Sequence, residues 1–298
     1  MANLNSNLDS IVIPGPLMAD PIGIGLRHSY YEGIVETKPP LGFIEVHPEN
    51  YFGGGINRRH LEKAREIYAL SFHAVGLSFG SADGINMDHL SKIKELIDIF
   101  EPFQFSDHAS WSASGNAHLN DLLPMPYTQE SLDTLCDNVS KTQDYLGRQI
   151  LVENPSTYIA FADNEMEEYE LMNAIADKTG CKLLLDINNI HVQCHNHGND
   201  PHEYIAAIKK EHVGEIHLAG YTEFPVENDE VILIDTHSKP VYDPVWKLYE
   251  RALAHLGSVP TLIEWDDDLP PLDVLLAEAD KARQIMHRQC GEERCAAE

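Results

Sequence analysis

Short apolar runs recur along the chain, each separated from the next by a longer stretch whose apolar residues return every three or four positions. Eight runs stand at 22–26, 42–46, 70–75, 103–106, 150–152, 182–185, 215–218 and 261–263. Their Ile, Leu, Val and Phe content reads as strands buried on both faces. The intervening periodicity predicts crossover helices at 60–70, 88–100, 129–146, 166–179, 201–210, 244–256 and 272–289. Eight alternations, without the glycine fingerprint of a dinucleotide-binding sheet, predict an α/β fold, a closed (β/α)8 TIM barrel, over an open doubly wound one. A barrel of this kind takes about 250 residues, so the 298 residues read as a single domain, with its core at 15–289 and a frayed polar tail at 290–298.

The residues at which the runs stop are the informative ones. Run two leads into His47, Glu49 and Asn50; run three carries His73; run four ends at Asp107 and His108. Run five ends at Glu153 and Asn154, run six at Asp186, Asn188 and Asn189, run seven at His217, and run eight at Glu264 and Asp266. The C-terminal strand ends of a barrel converge on one face, so residues scattered from 47 to 266 meet at one mouth. One such residue alone reads as a cap or a satisfied polar group. Seven strand ends of eight do not, because several carboxylates packed together without cations would be driven to protonate. Imidazole and carboxylate without cysteine suit Fe, Mn or Zn.

Beyond run seven, Asp235 and His237 alternate in an extended segment and so share a side, as two ligands of one ion would. His47 and Glu49 read as proton-transfer or substrate-positioning groups, or as hydrogen-bond partners that orient the metal ligands. Asn50, Asn154, Asn188 and Asp266 read as substrate contacts; for Asp266 and Asp267 solvated loop charge is an equal reading. Cys194-His195-Asn196-His197 is too compact to surround an ion, and Gly53-Gly54-Gly55 lacks a phosphate-loop lysine and reads as a flexible lid.

Composition narrows the partners. A net charge of −27 repels phosphate backbones, which argues against nucleic acid and favours metal cations and cationic peptide segments; solubility alone is the plainer reading. No apolar run approaches the roughly 18 residues that span a bilayer, and 1–16 lacks a secretory pattern, so the expected location is cytoplasmic and no membrane is expected as a partner. Five cysteines without a CxxC pair fit reduced thiols.

Taken in order, His73, His108, Glu153, Asp186, His217, Asp235, His237 and Glu264 resemble the trinuclear site of xylose-isomerase-like barrels of the endonuclease IV type. The fuller wording, GFIEVHPENYF, LSFHAVGLSFGS, FSDHASWS, LVENPSTY, LLLDINNIHV, EIHLAGY, DTHSKPV and IEWDDDLP, resembles the multinuclear non-heme iron-dependent oxidative enzymes, relatives of the methanobactin-biosynthesis oxidase. The resemblance covers roughly residues 15–285. It implies two or three iron ions of mixed valence, O2 as co-substrate, a cysteine-containing ribosomal precursor peptide, and a small leader-recognising companion protein. It assigns His73, His108 and Glu153 to one ion, a bridging Glu153 with Asp186, His217 and Glu264 to the second, and Asn189, Asp235 and His237 to the third. The DNA-repair barrel has His where this chain has Asn189, which favours the oxidase over the two rivals, a trinuclear zinc phosphodiesterase and a divalent-metal sugar isomerase or epimerase.

Overall fold

In a computed structural model, residues 20–115, 117–226 and 230–291 are described. The expectations for 1–16, for the tail at 292–298 and for Cys295 lie outside the described residues.

Eight parallel strands close into a barrel: β1 (Ile22–Gly25), β2 (Phe43–Val46), β3 (Ala69–His73), β4 (Gln104–His108), β7 (Leu151–Glu153), β8 (Lys182–Asp186), β9 (Val213–Leu218) and β12 (Thr261–Ile263). β1 pairs with both β2 and β12, which completes the ring. Every apolar run found in the sequence became one of these strands. Helices cover the outside: α1 (Tyr31–Thr37), α2 (Gly55–Arg65), α3 (Met87–Phe100), α4 (Gln129–Leu146), α5 (Glu168–Thr179), α6 (Ile187–His197), α7 (Pro201–Ala207), α8 (Asp243–Leu256) and α9 (Leu272–Cys290). Their ends follow local chemistry. Asn86 accepts from the Asp88 and His89 amides at the start of α3, and Thr128 caps α4. Gly147, Gly180 and Gly198 take the left-handed conformation that closes α4, α5 and α6.

Three features depart from the sequence reading. α6 runs through a stretch rich in Asn and His, weak helix formers; it forms because Asp186 caps it and because Ile187, Ile190, Val192 and Cys194 are buried along it. Two antiparallel hairpins rise from the barrel, β5 (Trp111–Ser114) with β6 (Ala117–Leu123), and β10 (Thr222–Pro225) with β11 (Val231–Ile234). Gly54 and Gly55, read as a lid, instead form the start of α2, with φ of 65° and 75°.

The register sets the site. His108 stands opposite Glu153, and Asp186 opposite His217, as paired residues of adjacent strands. Parallel pairing thus delivers four donor residues to one level of the barrel, with His73 at the end of β3 and Glu264 just past β12.

Candidate metal centre

At that level the side chains converge. His73 Nε2 lies 3.1 Å, and His108 Nε2 3.3 Å, from the same oxygen, Glu153 Oε2. His217 Nδ1 lies 3.0 Å from Glu264 Oε2, and His237 Nδ1 3.4 Å from it. His237 Nε2 lies 2.7 Å from Asp235 Oδ1, although His237 stands past the end of β11 with a φ of 45° rather than in an extended segment. In each of the sets His73/His108/Glu153, Glu153/Asp186/His217 and His73/His217/Glu264, the donor atoms lie within 4.8 Å of one another. His73, His108, Glu153, Asp235, His237 and Glu264 border a cavity of about 270 Å³ whose lining also includes His47, Tyr158, Asn189 and Asp266, while Asp186 and His217 lie outside that lining.

The non-facing atoms are held. His73 Nδ1 meets Ser106 Oγ at 2.8 Å, and His108 Nδ1 lies 3.3 Å from Asp107 Oδ1. His217 Nε2 lies 3.2 Å from Glu45 Oε1 inside the barrel, an ion-pair contact without hydrogen-bond geometry, and Glu45 in turn accepts from Ser71 Oγ. Asn189 donates to Glu153 Oε1 at 3.3 Å and to the Asn154 carbonyl, while its own oxygen accepts from Ser156. Such outer partners fix ring tautomers and carboxylate orientation.

The electrostatics are those of a site built around cations. Burial pushes Glu153 up to about 8 and Asp186 up to about 7. Burial, then the neighbouring imidazoles of His108 and His217, hold His73 well below its usual value, so its ring is neutral with a free lone pair. Burial works against the charged form of His108, yet Glu153 and Asp107 raise it to about 9. Burial likewise opposes the ionised Glu264, but against it and against the Asp266 charge the imidazoles of His217 and His237 bring that carboxyl down to about 2. Among the described residues the arginine here is Arg27, which donates to Asp266 and lies 3.4 Å from Glu264 Oε1. One guanidinium does not balance Glu153, Asp186, Asp235, Glu264 and Asp266. Glu153 Oε2 and Asp186 Oδ2 are buried without a hydrogen-bond partner. Orphaned carboxylate oxygens beside imidazole nitrogens fit divalent metal ions.

Several sequence candidates stand elsewhere. Glu49 does not line the cavity: its Oε1 accepts from the Val75 amide and meets His89 Nε2, both at 3.1 Å. Asn50 is exposed on the short turn Pro48–Tyr51 and also stays out of it. Asn154 is fully buried; it donates to the Asp186 carbonyl and accepts from the Asp186 amide, so its amide is spent on holding β8. Asn188 donates to Asp235 Oδ1 at 2.7 Å and orients that carboxylate from below. Asp266 does border the cavity, locked between Arg27 and His237. The compact Cys194–His197 stretch is a turn of α6, with His195 and His197 engaged to the Val231 and Thr157 carbonyls.

Sequence reasoning missed Arg27, Glu45 and Glu215. Arg27 follows β1, and an added Cβ on Gly25 would come within 3.0 Å of its guanidinium, so a glycine there leaves it room. Glu45 and Glu215 interrupt otherwise apolar runs, which was the available signal; both are buried inside the barrel beneath His217, and both Glu215 oxygens lack hydrogen bonds.

A UPF0276 protein of Vibrio vulnificus (strain YJ016) is 47% identical over 266 residues, 89% of this chain and 91% of that one. One from Caulobacter vibrioides (strain NA1000 / CB15N) is 45% identical over 266 residues, covering 89% and 93%. Among solved structures, a D-psicose 3-epimerase from Clostridium cellulolyticum H10 superposes with a TM-score of 0.58 at 10% identity, over 90% of this chain and 98% of that one. Endonuclease IV from Thermus thermophilus gives 0.53 at 14% identity, over 87% and 98%. At such identities these structures share the xylose-isomerase-like barrel and nothing finer. A family profile described as "RiPP precursor modification enzyme MbnB/TglH/ChrH" matches residues 21–287, and the chain therefore belongs to that family of enzymes that modify ribosomally made precursor peptides.

Proposed function

We propose that this enzyme is an iron-dependent oxidase that uses O2 to modify cysteine in its precursor peptide, assisted by a small companion protein that recognises the peptide leader. The observation that carries this reading is the ring of His73, His108, Glu153, Asp186, His217 and Glu264, with Glu153 Oε2 and Asp186 Oδ2 unpartnered in its centre. In it His73, His108 and Glu153 would hold one ion, Asp186, His217 and Glu264 together with Glu153 a second, and Asn189, Asp235 and His237 a third. Iron bound there supplies the redox change that Zn lacks.

The chain's own residues do the rest. Ser106 and Asp107 keep the imidazoles of His73 and His108 turned toward the cavity. Arg27 offsets part of the carboxylate charge and fixes Asp266. His47 lines the cavity and donates from Nδ1 to the His73 carbonyl at 2.9 Å, which leaves Nε2 with a lone pair in the neutral ring. It is the base for a proton leaving the substrate thiol. Tyr158 stands at the mouth, half exposed, where a peptide enters.

The test uses anaerobically prepared, iron-loaded protein with a cysteine-containing precursor, with and without companion, followed by air exposure and mass measurement. A mass change that maps to cysteine, requires O2 and disappears with Asp186→Ala is expected. Modification that proceeds equally well with zinc alone under anaerobic conditions would refute the oxidase.

A further inference from the structure

The segment that follows β7 separates two cavities. Ser156 and Tyr158 face the strand-end cavity, whereas Thr157 and Ile159 face a larger one, about 730 Å³, between the starts of α5 and α7 and the end of α6. Its lining holds six carboxylates, Glu165, Glu167, Glu168, Glu170, Asp200 and Glu203, and no lysine or arginine. Four of these have local work. Glu167 and Glu170 form the capping box of α5, Asp200 caps α7, and Glu165 accepts from the Gln129 amide.

Glu168 opens α5 but is no part of its capping box. It is 6% exposed, accepts from Tyr127 Oη at 2.9 Å and from Gln193 Nε2, and no cationic side chain meets it among the described residues. Burial pushes its carboxyl up to about 7. Beside it the Tyr204 hydroxyl, on a side chain 5% exposed, faces the Glu168 carboxyl as a third polar neighbour. The Tyr204 and Tyr169 rings stand at 82° with centroids 5.7 Å apart, and Tyr127 and Phe161 also border the space. Carboxylates and several aromatic rings lining one cavity make a receptor for an organic cation on an alkyl stem.

We propose that this side cavity binds the guanidinium or ammonium head of an arginine or lysine side chain of the precursor peptide. That the cation belongs to the peptide rests on the family's peptide substrate; the cavity's preference for a cation does not. The wall between the cavities serves both. Thr157 donates to Gln193 beside Glu168, while its neighbour Ser156 donates to Asn189 at the strand-end centre. A peptide lying across the wall would place a thiol on one side and a cation on the other.

Calorimetry on the full chain, metal-loaded and metal-free, tests this with N-acetyl-arginine amide against its neutral isostere N-acetyl-citrulline amide. The arginine probe should bind in both metal states, at least about tenfold more tightly than the citrulline one, and Glu168→Gln should weaken it about tenfold. Should Glu168→Gln fail to fold, Tyr204→Phe and the wild-type comparison of the two probes still decide. Equal affinities, or no binding of either probe to about 10 mM, overturn the cation site. A precursor with its arginines and lysines replaced by glutamine should keep kcat and lose affinity; unchanged affinity overturns the assignment to the peptide. Arginine binding by a chain that modifies no cysteine would sink the oxidase reading alone.

Discussion

The strand-end cavity and the side cavity are both acidic, and the side cavity is the larger, yet their donor sets differ in kind. At the strand ends, carboxylates alternate with imidazoles whose nitrogens stand about 3 Å from them, a spacing that a metal ion can close. In the side cavity the carboxylates are backed by tyrosine, phenylalanine and amide groups, which suit an organic cation and offer a metal ion little nitrogen. Cavity size therefore says little about chemistry; the elements lining it say more.

Substitutions at the two places should behave oppositely. The largest effect is expected from Glu153→Ala or Asp186→Ala, which should remove at least one metal equivalent by elemental analysis and lower peptide modification at least about a hundredfold. Next, His47→Gln should keep the full metal content, because a glutamine amide can still donate to the His73 carbonyl, yet slow modification about a hundredfold as a proton acceptor is lost.

The third expectation concerns pH. Glu168 titrates at about 7 in the folded chain against 4.5 ordinarily. The unfolded chain therefore gives up that proton first as pH rises, and folding loses stability from pH 4.5 until the folded group also ionises near 7. The loss amounts to about 3 kcal/mol. Glu168→Gln removes it, so the variant should melt above wild type at about pH 8, equal it near pH 4.5, and leave metal content unchanged. A metal loss in this variant would erase the distinction between the cavities. The smallest effect is expected from Glu45→Gln, which loosens the His217 ring from below and should weaken metal binding about tenfold, read by chelator competition, without moving the fold.

The barrel was legible because strands buried on both faces are mostly apolar, and all eight runs kept enough Ile, Leu, Val and Phe to stand out from the helical stretches between them. The donor ring was legible because a closed barrel forces strand ends together, so positions 73 and 264 need not be close in sequence to be neighbours in space. What escaped was set by tertiary context. α6 carries poor helix formers and exists through the Asp186 cap and its buried face. Glu49 and Asn154 sit at strand ends like true donors, but their side chains turn to an amide and a neighbouring strand instead, which sequence position does not encode. Arg27 stands past the end of β1, the one strand end without a metal-ligand type, and supplies the counter-charge there. Glu45 and Glu215 were hidden by the apolar runs around them.

Diffraction from crystals of iron-loaded protein, recorded on either side of the iron absorption edge, tests the central claim most directly. Two or three anomalous peaks within the ring formed by His73, His108, Glu153, Asp186, His217, Asp235, His237 and Glu264 are expected. An iron-free ring, or one holding a single ion with Glu153 Oε2 and Asp186 Oδ2 still unliganded, would contradict it.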